Sequence, residues 1–170
     1  MIKLVWQNII RFIFLILLQV LILNNIQFSG FINPYLYVLF ILLLPIELSN
    51  WIVLFIGLLT GLCVDVFSNT LGIHASATVF ISFLRPFILG IISPREGYEP
   101  GTLPNISHNG LKWFVKYIVI LVVAHHLFLF FVEAFRFSDF FRTFSRAIIS
   151  SVFTLILILF TQMLLIRRKK

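Results

Sequence analysis

The chain has 170 residues, 61% of them hydrophobic and only 11% charged, with a mean hydropathy of +1.09. A water-soluble domain carries roughly 25% charged residues, so the composition excludes a soluble globular protein and indicates an integral membrane protein without room for a sizeable soluble domain. The formal charge of +7 does not signal nucleic acid: the 13 Lys and Arg gather between apolar runs and in the C-terminal IRRKK, the distribution of topogenic charges.

Lys3 and Arg11 precede the run FIFLILLQVLIL, like the charged and apolar regions of a secretory signal. Large residues in NNIQFSGFINP stand where cleavage needs small ones, so an uncleaved signal anchor is expected, with a first span at 12–26. Further apolar runs predict spans at 34–46, 51–67, 73–92, 113–135 and 144–166. The sequence thus predicts an all-α protein of six transmembrane helices in a single domain. The second run is short: as a helix it covers about 20 Å of a hydrocarbon layer roughly 30 Å thick. Asn33-Pro34 reads as an N-cap followed by proline at the first helical position, and Ser49-Asn50 as a second cap before Trp51. Pro45 and Glu47 lie between them, so 34–67 reads as a helical hairpin with short arms.

The stretch 93–112, SPREGYEPGTLPNISHNGLK, is rich in Gly and Pro and predicts a loop. With six spans and a cytoplasmic N-terminus, this loop faces the cytoplasm. Lys3, Arg11, Arg95, Lys112, Lys116, Arg167, Arg168, Lys169 and Lys170 then lie inside, while Arg136, Arg142 and Arg146 lie outside, an asymmetry that favours this orientation with both termini cytoplasmic. The sequon Asn105-Ile106-Ser107 is a chance match on that side. The outer loop FRFSDFFRTFSR, 135–146, reads either as an amphipathic turn on the headgroups or as a surface for a partner's juxtamembrane region.

Ionisable residues inside spans are functional candidates, because a charge there costs several kcal/mol. They are Asp65, Arg85, the pair His125-His126, and Glu133. Asp65 and Arg85 do not form a pair, since Arg85 lies about 18 Å deeper along its helix than the outer turn. Arg85 is expected to snorkel toward the cytoplasm, with Glu47 a weaker partner. Asp65 sits at a helix C-terminus, where the dipole disfavours an anion. Its expected compensation is the backbone of 67–69 in an Asx-type turn, with the hydroxyls of Ser68 and Thr70 nearby. Gly72 supplies a left-handed residue, and Ser68, Asn69 or Thr70 caps the next helix. The motif GLCVDVFSNTLGIH, ending at His74, therefore reads as a self-satisfied turn, with partner docking or a proton or substrate site as alternatives.

The two histidines are about 100° apart on a helix and do not converge on one ion; helix–helix hydrogen bonding is their expected role. A metal would need His126, Glu133, Cys63 and His74 to be recruited without supporting spacing. Cys63, the lone cysteine, reads as an inert small side chain. Activated-nucleophile, zinc and phosphate-loop motifs are missing from the sequence, so catalysis is not expected.

The turn DVFSNTLGIHA at 65–75 resembles the signature turn of the MreD family, the rod-shape-determining membrane proteins of bacteria. The length, the six-span plan and the Asn33-Pro34 start of a short second helix share in the resemblance. The stretch ISPREGYEPGT at 92–102 is similar to the cytoplasmic loop of Bacteroidetes-type members. The resemblance implies a fold similar to the substrate-binding subunits of energy-coupling-factor vitamin transporters. It further implies a non-catalytic scaffold of the cell-wall elongation complex in the bacterial cytoplasmic (inner) membrane. Its partner would be an MreC-like protein and, through it, the MreB filament, the glycosyltransferase RodA and its transpeptidase, with no cofactor. The competing expectation is a vitamin-type transporter substrate-binding subunit, which needs converging polar groups around a cavity; Asp65, His74, Gln19, Asn24 and the histidine pair are the available lining.

Overall fold

A computed structural model describes residues 2–25, 32–135 and 139–167, with side chains described from Trp6 to Ile166 within those ranges. Of the topogenic cations, Arg136, Arg168, Lys169 and Lys170 lie outside the described residues, as does Ile26 at the end of the first expected span.

The described residues form helices α1 (Ile2–Leu18), α2 (Val38–Leu42), α3 (Asn50–Ser68), α4 (Ile73–Ile91), α5 (Ile106–Ala134) and α6 (Phe140–Arg167). A π-turn, Gln19–Leu23, continues α1. Five stretches are long and apolar enough to cross a membrane: Trp6–Leu23, Asn50–Ser68, Ile73–Ile91, Leu111–Ala134 and Phe140–Ile166. The first and last helices begin earlier than the apolar runs suggest, because polar residues such as Asn8 and Arg142 extend a helix without lengthening its greasy part.

The expected second span is where sequence and structure part. Within 34–46 only Val38–Leu42 is α-helical, and Asn33-Pro34 does not cap it; the N-cap is Tyr37. Every residue from Pro34 to Leu44 is buried in protein. The side chain of Gln19 bonds the backbone of Pro34 and Leu36, while Arg11 donates to the carbonyl of Leu43. The segment therefore runs antiparallel to α1, inside the bundle. Unwinding its first residues restores reach, since extended chain covers about 3.3 Å per residue against 1.5 Å in a helix.

Non-helical backbone at membrane depth survives only where protein groups satisfy it, and here they do. Ser150 Oγ accepts from Asn33 N at 3.1 Å and Thr154 Oγ1 from Tyr35 N at 3.0 Å. Gln19 Oε1 accepts from Leu36 N at 2.8 Å, and its Nε2 donates to Pro34 O at 3.1 Å. Tyr117 donates its hydroxyl to Leu42 O at 2.9 Å, and Arg85 Nη2 donates to Leu44 O and Pro45 O. The π-turn fits this arrangement: Asn24 N donates five residues back to Gln19 O, and Gln19 Nε2 also donates to Asn24 Oδ1.

Helix α3 has Ser49 at its N-cap position, as the sequence suggests, but without a capping bond from its side chain, and packs tightly on α4 through small residues. A β-carbon built at Gly61 would lie 2.3 Å from Ala75 Cα, and one at Gly57 2.2 Å from Ser82 Oγ. Gly57-Leu58-Leu59-Thr60-Gly61 is a G-x-x-x-G contact of the kind that brings membrane helices together. Pro86 lies inside α4, which continues through it to Ile91. Phe80 of α4 stacks on Phe128 of α5 with centroids 4.5 Å apart, and His126 of α5 meets Thr154 of α6.

The expected loop 93–112 is shorter than the sequence suggests. Asn105 caps α5 by accepting from His108 N at 2.9 Å, and Gly110 at φ 78° breaks the first turn from the long helix. Tyr98 donates to Leu89 O at 2.8 Å, and burial raises its phenol above the ordinary value, keeping it a donor. Likewise, the 135–146 stretch is not all loop: from Phe140 it is the start of α6.

The close approach of α3 and α4 yields a paired prediction. Gly61→Val forces the helices apart and should lower the thermal midpoint in detergent by an amount equivalent to at least about 1–3 kcal/mol. Gly90→Ala meets open space and should leave the midpoint unchanged or raise it. Equal losses in both variants would refute the packing account.

Candidate functional site

The Asp65 turn joins α3 to α4. Asp65 is 4% exposed and uses both carboxylate oxygens. Oδ1 accepts from Thr70 Oγ1, from His74 N at 3.0 Å and from His74 Nδ1 at 3.0 Å; Oδ2 accepts from Ala75 N at 2.9 Å. The amides of His74 and Ala75 are otherwise unpaired donors in the first turn of α4. A carboxylate from the end of one helix thus caps the start of the next, and the positive end of α4 offsets the negative end of α3.

This corrects the expected Asx turn. Asp65 accepts from the amides of 74–75, not 67–69, because the chain folds back far enough for α4 to present its own N-terminus. Gly72 takes the left-handed conformation as expected, at φ 80°, and occupies the N-cap position itself. Ser68, Asn69 and Thr70 do not cap α4. Asn69 ends α3 in the left-handed region at φ 53°. Thr70 donates to Asp65, and Ser68 Oγ accepts from Asn24 Nδ2 at 3.0 Å, tying the end of α1 to the end of α3.

His74 donates from Nδ1 to Asp65, since a carboxylate accepts only; that fixes the tautomer with its lone pair on Nε2. Tyr35 and Tyr37 set ring edges against it at 5.3 and 5.9 Å. His125 and His126 are fully buried and bond different partners, His125 Nε2 with Tyr37 OH at 3.0 Å and His126 Nε2 with Thr154 Oγ1 at 3.0 Å. His126 Nδ1 meets Val122 O at 2.9 Å. The histidines thus join helices, as their spacing suggests, and one of them also holds the buried segment.

Arg85 is 2% exposed and does not snorkel. Its Nε donates to Tyr117 OH at 3.0 Å, and its Nη2 to the carbonyls of Leu44 and Pro45. Free carbonyls of the non-helical segment offer a closer destination than the headgroups. Glu47 instead accepts from Gly101 N at 2.7 Å. Glu133 pairs with Arg146 at 3.4 Å, and Arg146 also lies 4.5 Å over the ring of Phe130. Among the described residues no three His, Cys, Asp or Glu side chains converge to hold a metal ion.

The structure therefore brings Asp65, Thr70 and His74 together and keeps Arg85, the histidine pair and Glu133 in separate arrangements. Sequence reasoning missed Tyr35, Tyr37, Tyr117, Ser150 and Thr154 as partners. Their signal was present: each is a hydrogen-bonding side chain inside an apolar run, where it requires a partner. Comparison with family models, curated proteins and solved structures returned no match.

Two substitutions separate the roles of these charges. Asp65→Asn turns an amide N–H toward the donors of α4 and should cost about 1–3 kcal/mol, read as a lower midpoint in detergent. Arg85→Met takes the Arg85 donor from Leu44 O and from the Tyr117 hydroxyl and should cost at least as much. Arg85→Lys should restore part of the loss, because one ammonium can serve only some of these acceptors.

Proposed function

We propose that this chain is a non-catalytic scaffold subunit of a bacterial cell-wall elongation complex, of the MreD kind. Its immediate partner is an MreC-like membrane protein, through which it meets RodA, its transpeptidase and the MreB filament. One observation carries the reading: Gln19, Arg85, Tyr117, Asp65 and Thr70 are engaged in holding the segment 34–45 and the α3–α4 turn. A body that spends most of its intramembrane polar groups on its own fold and presents apolar helix faces suits a docking subunit better than a reaction centre. The multi-pass arrangement of apolar helices is compatible with this role.

In this proposal the return path 34–47 acts as a sixth, protein-enclosed crossing. Both termini then lie in the cytoplasm of the inner membrane, and the Asp65 turn faces outward. A second reading, a vitamin-type substrate-binding subunit, is favoured by a cavity of about 320 Å³ beside the Asp65 turn. Its competitor is the filled middle of the bundle, where Tyr37, Val38, Ile41 and Leu42 are fully buried.

Gentle purification from a native membrane should recover an MreC-like protein, and depletion should turn rods into spheres. Absence of both effects would eliminate the scaffold reading, and a vitamin retained through purification would favour the carrier. Orientation is tested in a Cys63→Ser background. Leu71→Cys, at the fully exposed tip of the turn, should react with an impermeant maleimide on intact spheroplasts. Glu96→Cys should react only after lysis; the reverse pattern would invert the topology.

A further inference from the structure

The cavity beside the Asp65 turn lies where the end of α1, residues 33–35, the α3–α4 turn and the last turns of α5 meet. Its volume of about 320 Å³ is at the lower end of ligand pockets, which run from about 300 to 1,000 Å³, and suits a ligand of about one sugar ring.

Its charge is balanced. Glu133 is the carboxylate of the lining, and Arg146 pairs with it; no lysine or arginine is among the lining residues. The nearby carboxylate of Asp65 already accepts from Thr70, His74 and Ala75. An anion would find no counter-charge here, and a cation would have to displace Arg146.

The hydrogen-bonding groups are of mixed character. Asn24, Asn25, Asn33 and Ser68 each carry both donor and acceptor groups, of which the fold uses part: Asn24 bonds Gln19 and Ser68, and Asn25 Nδ2 donates to Val20 O and Leu21 O. Such groups match ligands whose own groups donate and accept at once, which is the property of hydroxyls. Ser68 accepts from Asn24 yet gives its own proton to no acceptor among the described residues. His74, 5% exposed, has its Nδ1 held by Asp65, and Nε2 has no partner among the described residues. His74 lines the cavity, so a ligand hydroxyl there can donate to the Nε2 lone pair. Tyr35, Phe67 and Leu129 supply apolar walls suited to the C–H faces of a ring.

We propose that this cavity binds a single uncharged, polyhydroxylated ring, with His74 Nε2 accepting from one ligand hydroxyl. The ring is either a free sugar or the headgroup of a glycolipid, since both present the same chemistry. This goes beyond the scaffold reading and does not depend on it.

The test uses the purified full chain in lipid nanodiscs and calorimetric titration. The soluble probe is methyl β-glucoside; the lipid probe is monoglucosyl diacylglycerol incorporated into the discs and followed by protection of an introduced label at Leu71→Cys. Saturable binding of the soluble probe, on the order of millimolar, assigns the site to free sugars. Saturable binding of the lipid probe alone assigns it to a headgroup. His74→Asn keeps a donor toward Asp65 but removes the Nε2 acceptor, and should weaken binding by more than about tenfold. Asn25→Leu, at an exposed position outside the Asp65 network, should weaken it several-fold with only a small drop in the melting midpoint, since the bonds it also removes, to Val20 O and Leu21 O, are exposed, and it tests the site even if the histidine variant is unstable. Binding of neither probe, binding unaffected by both variants, or tighter binding of glucose 6-phosphate than of the neutral glycoside would each overturn the assignment.

Discussion

Residues 33–45 cross the interior of an apolar bundle with only a short helical ladder in the middle, and the backbone groups at its ends need partners that water cannot supply there. That requirement organises most of the polar chemistry of this protein. Gln19 on α1, Arg85 on α4, Tyr117 on α5 and Ser150 and Thr154 on α6 each send a side chain inward to one stretch of chain. Residues that look like scattered intramembrane sites are thereby a single supporting set. The cost of an unmatched group, about 1–3 kcal/mol, explains why so many polar side chains are retained in a chain this apolar.

A second constraint acts where α3 gives way to α4. The two helix ends carry opposite partial charges, and the connection between them spans only four residues, 69–72. Asp65 bridges that gap by accepting from the amides at the start of α4. The G-x-x-x-G contact lower down brings the same two helices close enough for the bridge to form. Packing and electrostatics are coupled here: separating the helices at Gly61 would also draw the donors of α4 away from the carboxylate.

The two ends of the bundle consequently differ. At the Arg85 end the loop 92–105 folds back through Tyr98, Glu47 and the indole of Trp113, which donates to Ile92 O. At the Asp65 end a cavity remains, with polar groups still able to bond. A scaffold role draws on the rigidity of the whole body, while ligand binding draws on this one end. The two proposals are compatible, because the groups that hold the segment 34–45 are not those that line the cavity beside His74.

The sequence by itself determined the membrane class, the approximate positions of five long helices and the isolation of Asp65 from Arg85. These follow from composition, from runs of apolar residues and from helical rise, all local quantities. It also made the left-handed Gly72 and the separate roles of the two histidines legible, since both rest on neighbours within a few residues. Only the tertiary structure decided that 34–44 is a buried segment with a short helix and non-helical ends, because a short apolar run reads alike as helix or as enclosed chain. The same holds for the partners of Arg85 and Asp65. Each side chain took backbone groups close to it in space, and for Arg85 the nearest lay 41 residues away in sequence, at Leu44. Hydrogen-bond demand is visible in a sequence, whereas the supply that meets it is set by how the helices pack.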